Sequence, residues 1–564
     1  MTTGLITPRT AAALLQTACT LAALSGCGGG NGGGPAPTTT MPTYSLGGTI
    51  AGLSGPGLVL ADGGATVALA ANATTFAFPS SLKSSAAYAV TIQAQPAGQT
   101  CTITNGEGTI GTSKVTNIAI ACPSPWTWIG GPSSPAGTAV YGTLGVAAPG
   151  NLPGARSDGV TWTDAAGNFW LFGGTDSSAD AYFNDLWQYS AITGEWKWVG
   201  GANTPNSLGV YGTQGVAAPG NTPGARAAAS FWTDAAGNLW LFGGVGFASA
   251  AIQAGLNDLW EYSPSTGLWK WVSGSNVSGS QGVYGTQGVA SSANVPPARD
   301  KATSWIDASG NLWLFGGIDD VSQQYGPPSA LQDLWEYDPS SGLWTWVSGP
   351  MGLGNYGVYG TRGVAAPANL PGARSGGAGW VDKSGNLWLF GGASNFTPEL
   401  AYYGDLWRFD PSNGLWTWMA GSNAIDDTGQ YGTEGTPAEG NYPPPRSDVS
   451  AVIDPSGKFW LFGGFGVNSG YGAIDLAPGQ FNDLWRFDPA SGQWTWVSGT
   501  NGPAGAGTYG TQGMAAPGNV PTARGAAFLW MDSAGNLFLF GGYDFAGRGS
   551  AWNDLWEFAG ANFP

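Results

Sequence analysis

From residue 126 onward, bulky apolar residues fall in short runs, each bounded by turn-forming residues. Examples are "NLWLFGG" at 238–244, "DLWEYD" at 333–338 and "LWTWV" at 343–347. Aromatic-rich runs of this length suit β-strands and are too short for stable helices. Polar stretches such as "DASGN" (307–311) and "DPSSG" (338–342) separate them and read as tight turns. Residues 44–123 carry a looser version of the pattern. "GLVLADGG", "ATVALAANATTFAFP", "AYAVTIQAQP" and "VTNIAIAC" are short apolar or alternating runs. They predict a small β-sandwich, so the whole chain reads as all-β.

After residue 126 the runs repeat, with four marks recurring in fixed order. Trp-x-Trp begins at Trp126, Trp196, Trp269, Trp344, Trp416 and Trp494. A segment like Pro-x-Ala-Arg ends at Arg156, Arg226, Arg299, Arg374, Arg446 and Arg524. Leu-Phe-Gly-Gly starts at Leu171, Leu241, Leu314, Leu389, Leu461 and Leu539. Asp-Leu-Trp starts at Asp185, Asp258, Asp333, Asp405, Asp483 and Asp554. A Gly-Gly doublet closing the second strand and a spaced aromatic in the last resemble the kelch repeat. That resemblance spans residues 124–564 and implies a six-bladed β-propeller, each blade a four-stranded antiparallel sheet. Strand a then follows the Arg, and strands b, c and d are the three runs quoted first. Residues 44–123 resemble the immunoglobulin-like modules that precede larger domains in bacterial surface proteins.

The register carries a further expectation. Asp-Leu-Trp is followed 11 residues later by Trp-x-Trp, but from Asp554 that step reaches 565, one past the last residue. Residues 126–129 are therefore expected to supply the outer strand of the last blade and close the ring, hiding the sheet edges.

Spacing separates frame from site. The phrase "YGTQGVAAPGNTPGAR" (Tyr211–Arg226) recurs six times, always with 15 residues from Tyr to Arg. The interval from Gly-Gly to Asp-Leu-Trp instead runs 11, 14, 16, 13, 19 and 12. Loops that serve only local folding can stay identical around a ring, whereas loops that read an asymmetric partner must differ. The phrase thus reads as frame, and the b–c loops as the variable, functional face. The six Arg are expected to bond backbone carbonyls between blades, and the Asp of Asp-Leu-Trp to act as a turn acceptor. Of 29 Trp, 28 hold repeat-equivalent places and read as packing, with Trp552 left over in the last variable loop.

Composition narrows the chemistry. Only 9% of residues are charged, the net charge is −17, and no clustered Lys or Arg could form a phosphate-binding groove, so nucleic acid is a poor partner. The chain has no His. That excludes His-based acid–base catalysis, Ser-His-Asp triads and His-ligated metals, including the copper-radical oxidase activity of some kelch propellers. No cofactor and no metal are expected, with calcium a minor option.

The N-terminus reads as an export signal. Residues 11–26 are small and apolar, too short to span a membrane as a helix. Leu24-Ser25-Gly26-Cys27 resembles a bacterial lipobox, which implies cleavage after residue 26 and lipidation of Cys27. Gly28 stands where inner-membrane lipoproteins have Asp, which favours the outer membrane, facing the periplasm or the cell surface. Membrane contact would then be through the lipid alone. The domains expected are a signal peptide at 1–26, a flexible linker at 27–43, the sandwich at 44–123 and the propeller at 124–564. Cys101 and Cys122 form an even pair in an exported chain and are expected to be disulfide-bonded.

Candidate ligand-binding residues lie in the variable loops: Asp176, Asp319, Asp320, Tyr325, Tyr403, Tyr471, Asp475, Asp544, Arg548 and Trp552. Near the channel mouth, two residues past an Arg, stand Asp158, Lys301 and Asp448. Aromatic faces stack on sugars, and carboxylates accept hydroxyl or amide protons. The expected role is binding an extracellular or envelope glycan or protein through the b–c face. The alternative is a His-free carbohydrate-active enzyme, a hydrolase or a sugar isomerase or mutarotase, although no motif selects the sialic-acid mutarotase found among kelch relatives. If the lipobox is read correctly, Cys27→Ser moves the protein from the membrane pellet to the soluble fraction, which cell fractionation and detergent partitioning measure.

Overall fold

The computed structural model describes residues 41–559 except 52, 54–55, 71–72, 97–100, 123–125, 177–179, 320–328, 353, 395–400, 468–478, 504–506, 517 and 545–549. Among the described residues every regular element is a β-strand. Two four-stranded sheets form between residues 46 and 121. One orders Thr75–Ala77, Leu46–Ala51, Val115–Ala121 and Thr102–Thr104, its middle pair parallel. The other orders Ala65–Ala68, Val59–Asp62, Ala87–Ala94 and Glu107–Thr109. Leu46 and Ile118 from the first sheet meet Leu60 and Val90 from the second in one apolar core. The Cys101–Cys122 disulfide, expected from the cysteine count, lies in that core.

Each later repeat builds an antiparallel sheet on four main strands, to which the first two repeats add a two-residue strand at the outer edge. In the second repeat the strands are Ser230–Thr233, Leu239–Phe242, Leu259–Ser263 and Leu268–Ser273, paired in that order. All four residues of Leu239–Phe242 are buried, which explains why this run is continuously apolar rather than alternating. Its two faces meet the two neighbouring sheets. Leu239 and Leu241 pack with Trp162 and Phe172 of the first repeat, while Trp240 and Phe242 pack with Leu312 and Leu314 of the third. In the same way Phe169 and Leu171 of the first repeat share a core with Phe528 and Trp530 of the last. The last sheet has strands Phe528–Met531, Leu537–Phe540 and Leu555–Phe558, and its outer strand is Trp126–Gly130, with Trp128 opposite Trp556. An all-strand chain with repeated four-stranded sheets fits a β-propeller.

The repeated phrase is held at both ends by one carboxylate. At its start, Tyr211 donates its hydroxyl to Asp258 Oδ2 at 2.6 Å. At its end, Arg226 reaches Asp258 through Nη1 to Oδ1 at 2.7 Å and Nη2 to Oδ2 at 2.8 Å. Trp260 Nε1 also donates to Oδ2, at 2.7 Å. The Tyr211 ring packs between Trp260 and Trp271, with centroids 4.9 and 5.1 Å away. All six repeats carry this fully buried Arg–Asp pair. Burial alone would raise the Asp258 carboxyl, but Arg226, Tyr211 and Trp260 hold it below the usual carboxylate range.

Between its ends the phrase covers an exposed sheet edge. Gly215 N–H donates to Trp271 O at 2.7 Å, and Asn221 Nδ2 to Trp269 O at 3.2 Å. Ala217–Ala218 pairs with the same outer strand. Gly212 has φ +61°, and a Cβ there would fall 2.3 Å from Asn221 Oδ1. In the last repeat Gly513 N–H donates to Trp128 O, so that phrase covers the N-terminal strand.

The reading of the Arg side chains needs correction. They pair with the Asp of their own repeat, and Arg226 Nη1 meets Gly243 O within it. It is the main chain at the Arg that links repeats. Gly174 N–H donates to Arg226 O, and Arg226 N–H donates to Phe183 O. Only Arg supplies two parallel donors that match a carboxylate while a third bond is made to a carbonyl. Asp258→Ala, which leaves Arg226 buried without its counter-charge, is expected to cost about 3–5 kcal/mol. Tyr211→Phe, which removes one bond to a charged acceptor, is expected to cost about 1.5–3 kcal/mol. Guanidinium unfolding of the two variants checks the order.

Candidate functional site

Two residues past each Arg stand Asp158, Ala228, Lys301, Gly376, Asp448 and Ala526. All six have left-handed φ, between 48° and 67°. The reason is a cycle of main-chain hydrogen bonds. Ala228 N–H donates to Asp158 O, Lys301 to Ala228, Gly376 to Lys301, Asp448 to Gly376, Ala526 to Asp448 and Asp158 to Ala526, at 2.6–3.1 Å. The hairpins between strands b and c attach beside this cycle. Val245–Phe247 pairs with Arg226–Ala227, and Ile318–Asp319 pairs with Arg299–Asp300. The constant and the variable connections therefore lie side by side.

The six positions share a backbone but not a chemistry. Charged side chains stand in the first, third and fifth repeats, while Ala or Gly stands between them. Lys301 Nζ is 2.8 Å from Asp448 Oδ1 and 3.8 Å from Asp158 Oδ1. Ser157 donates to Asp158 Oδ2 at 2.7 Å, and Tyr543 donates to Asp448 Oδ2 at 3.3 Å. A Cβ on Gly376 would fall 2.8 Å from Asp448 Oδ1, so the missing side chain leaves room for that carboxylate. The six residues line the mouth of a cavity of about 160 Å³. Below the mouth its wall comes from strand a, with Thr161, Phe231, Ala451 and Leu529. Phe231 remains 36% exposed.

Burial opposes the Lys301 charge, but Asp448 and Asp158 outweigh it and hold the ammonium well above the usual lysine range. Burial pushes the Asp158 carboxyl up. Lys301 pulls it down, and the charge of Asp448 adds to the rise. Tyr543 is raised by burial and by Asp448. At neutral pH the lysine is therefore an acid and a charge rather than a base or a nucleophile.

The expected site residues divide into groups. Asp158, Lys301 and Asp448 come together at the mouth. Asp176 and Asp319 are half-buried in the b–c hairpins. Tyr403 and Trp552 belong to the frame. They stand two residues before the clamp Asp, as do Phe183, Leu256, Leu331 and Phe481. The Arg374 guanidinium lies 4.1 Å from the Tyr403 ring centre, and that of Arg524 lies 5.0 Å from Trp552. Trp552 and Asp544 are each 5% exposed, and Trp552 Nε1 donates to Asp544 Oδ2 at 2.7 Å. Trp552 is thus explained by the repeat after all, as the bulkiest version of a buried plug. Asp320, Tyr325, Tyr471, Asp475, Arg548 and Cys27 lie outside the described residues.

Ser157 and Phe231 are additions, while Tyr543 belongs to the last variable loop, which the sequence had already marked. Phe231 sits five residues past Arg226, just before an inward-packed Trp. Strand alternation at that place could have marked it as channel-facing.

No family model matches the chain. Among solved structures, one titled "Structure of YjhT" is similar with a TM-score of 0.43 and 16% identity, over 72% of this chain and 95% of that one. That likeness is remote, and the β-propeller class rests on the repeated four-stranded sheets themselves.

The Asp158 shift has a consequence for stability. Its carboxyl is raised in the folded state, so the proton's stabilising effect is complete below the unfolded pKa and is lost as pH rises through the folded one. Wild type is expected to lose thermal stability relative to Asp158→Asn as pH rises from about 4 toward neutral. A gap in melting temperature that stays constant over that range would contradict this.

Proposed function

We propose that the chain is a six-bladed kelch propeller. Its ring is closed where Trp126–Gly130 joins the last sheet. It is carried on a small immunoglobulin-like sandwich and held in the bacterial envelope by a lipid on Cys27. Its function is to bind a glycan at the axial mouth, between the b–c hairpins.

The observation that carries this reading is the break in symmetry at the mouth. Six positions with one backbone conformation hold Asp, Ala, Lys, Gly, Asp and Ala. The frame needs no charge there, since Ala and Gly satisfy it in three repeats. A concave site with a few convergent polar groups suits a small polar ligand better than a flat protein surface. A volume of about 160 Å³ fits a group of a few ring atoms, such as one sugar residue. Carboxylate acceptors, an ammonium donor and the Phe231 face offer the contacts a sugar uses.

The enzymatic alternative is weaker. A glycosidase needs two carboxylates flanking the scissile bond with different protonation states. Asp158 and Asp448 both face the single Lys301 ammonium, which occupies the space between them.

A glycan and envelope-protein array probed with the full chain tests the reading, alongside Asp158→Ala/Asp448→Ala. Ala already occupies two of the six positions, so the variant is expected to fold, which a thermal melt confirms. Glycan binding lost in the variant supports the site. Glycan binding that survives would move it to the hairpins, and protein hits alone would replace the ligand class.

A further inference from the structure

Resting on the reading of the axial mouth as a glycan site, we infer that its ligand carries a protonated amine: an aminated sugar rather than a neutral or acidic one. The argument begins with what the main chain cannot offer. At all six ring positions the N–H and the carbonyl are spent on each other. No row of free amide donors faces the cavity from that ring, so the local means of holding a carboxylate or phosphate is missing. Recognition at the mouth falls to side chains.

Among the described residues of the cavity wall, the charged groups are Asp158, Asp448 and Lys301. The balance is two carboxylates to one ammonium. Lys301 is committed mainly to Asp448, at 2.8 Å against 3.8 Å for Asp158. Asp158 is left with Ser157 on Oδ2 and a longer approach from Lys301 on Oδ1. An anionic ligand would meet two carboxylates and would have to detach Lys301 from Asp448. A neutral ligand would disturb those pairs and bring no charge in return. A cation beside Asp158 completes the balance without breaking the Lys301–Asp448 bond. In a partly desolvated cavity a charge-assisted bond of this kind is stronger than a neutral one. Phe231, exposed in the throat, gives the sugar ring or its ammonium an aromatic face.

The reading makes Lys301 a competitor of the ligand, which gives the inference a sign. Removing the internal cation while keeping a polar side chain should tighten amine binding. For a neutral or acidic ligand the same change should weaken it.

The test uses the full chain and two probes that differ only at nitrogen, a deacetylated chito-oligosaccharide and its fully N-acetylated counterpart. Both are titrated calorimetrically from mildly acidic to neutral pH, because the free amine must be charged while Asp158, whose carboxyl burial raises, must have lost its proton. The aminated probe is expected to bind about ten-fold tighter than the acetylated one. Asp158→Asn should abolish that preference. Lys301→Gln should tighten the aminated probe by about ten-fold. Equal binding of the two probes, or weaker amine binding by Lys301→Gln, overturns the inference. So does an array ligand that lacks an amine yet is lost in Asp158→Ala/Asp448→Ala, and that result leaves the glycan site standing. If no ligand on the array depends on the mouth, both readings fall.

Discussion

In every repeat the first and last residues of a long connecting phrase converge on one buried aspartate. Asp258 takes two bonds from Arg226, one from Tyr211 and one from Trp260, with no water needed. A carboxylate and a guanidinium removed from water cost several kcal/mol each unless every lone pair and proton finds a partner. The cluster comes close to that requirement: with Gly224 O and Gly243 O, four of the five guanidinium donors are engaged. Because the requirement is strict, the geometry is strict. Tyr, Arg, Gly-Gly and Asp must all arrive together, which fixes the length of the phrase and the position of the Gly-Gly turn. A one-residue change in the phrase would strand a buried charge.

That constraint reaches the axis of the molecule. Arg226 is locked by its side chain, and its main chain joins Phe183 and Gly174 of the neighbouring repeat. Two residues further on, the chain must turn left-handed to pass its N–H and C=O around the axial cycle. The clamp thus sets the ring, and the ring sets where six side chains meet. The hairpins that vary in length leave the chain just after Gly-Gly and return just before the Asp. They are free to differ because both of their ends are already fixed.

Much of this was legible in the sequence, and the limits have physical causes. Invariant spacing from Tyr211 to Arg226 marked the phrase as frame because a buried polar cluster tolerates no slack. Disulfide pairing of Cys101 with Cys122 followed from the cysteine count once the chain was read as exported. The partner of Arg226 was not legible. Arg and Asp lie 32 residues apart, across an interval whose length varies between repeats, so periodicity could not join them. Trp552 misled for a related reason. Its place is held by Phe, Leu or Tyr in the other repeats, and identity matching fails where only bulk is required. Asp158, Lys301 and Asp448 could be noticed by position, but their convergence depends on a left-handed turn that Ala228 and Ala526 share and that no residue preference announces.

An internal brace is the competing account of the three mouth charges, and magnitudes weigh against it. A non-Gly residue held in the left-handed region costs of order 1–3 kcal/mol, and Lys has none of the local side-chain bonding that eases this for Asp. A partly exposed ion pair returns about 0–1 kcal/mol. Lys301 is 27% exposed at its side chain, so its pairs belong near that lower range. The ring is already joined by a full cycle of main-chain bonds and by apolar cores between neighbouring sheets. Gly at position 301 would relieve the backbone and leave those links in place. The charges therefore add little to holding the fold together, and their convergence on one cavity is better accounted for by the ligand proposed to enter it.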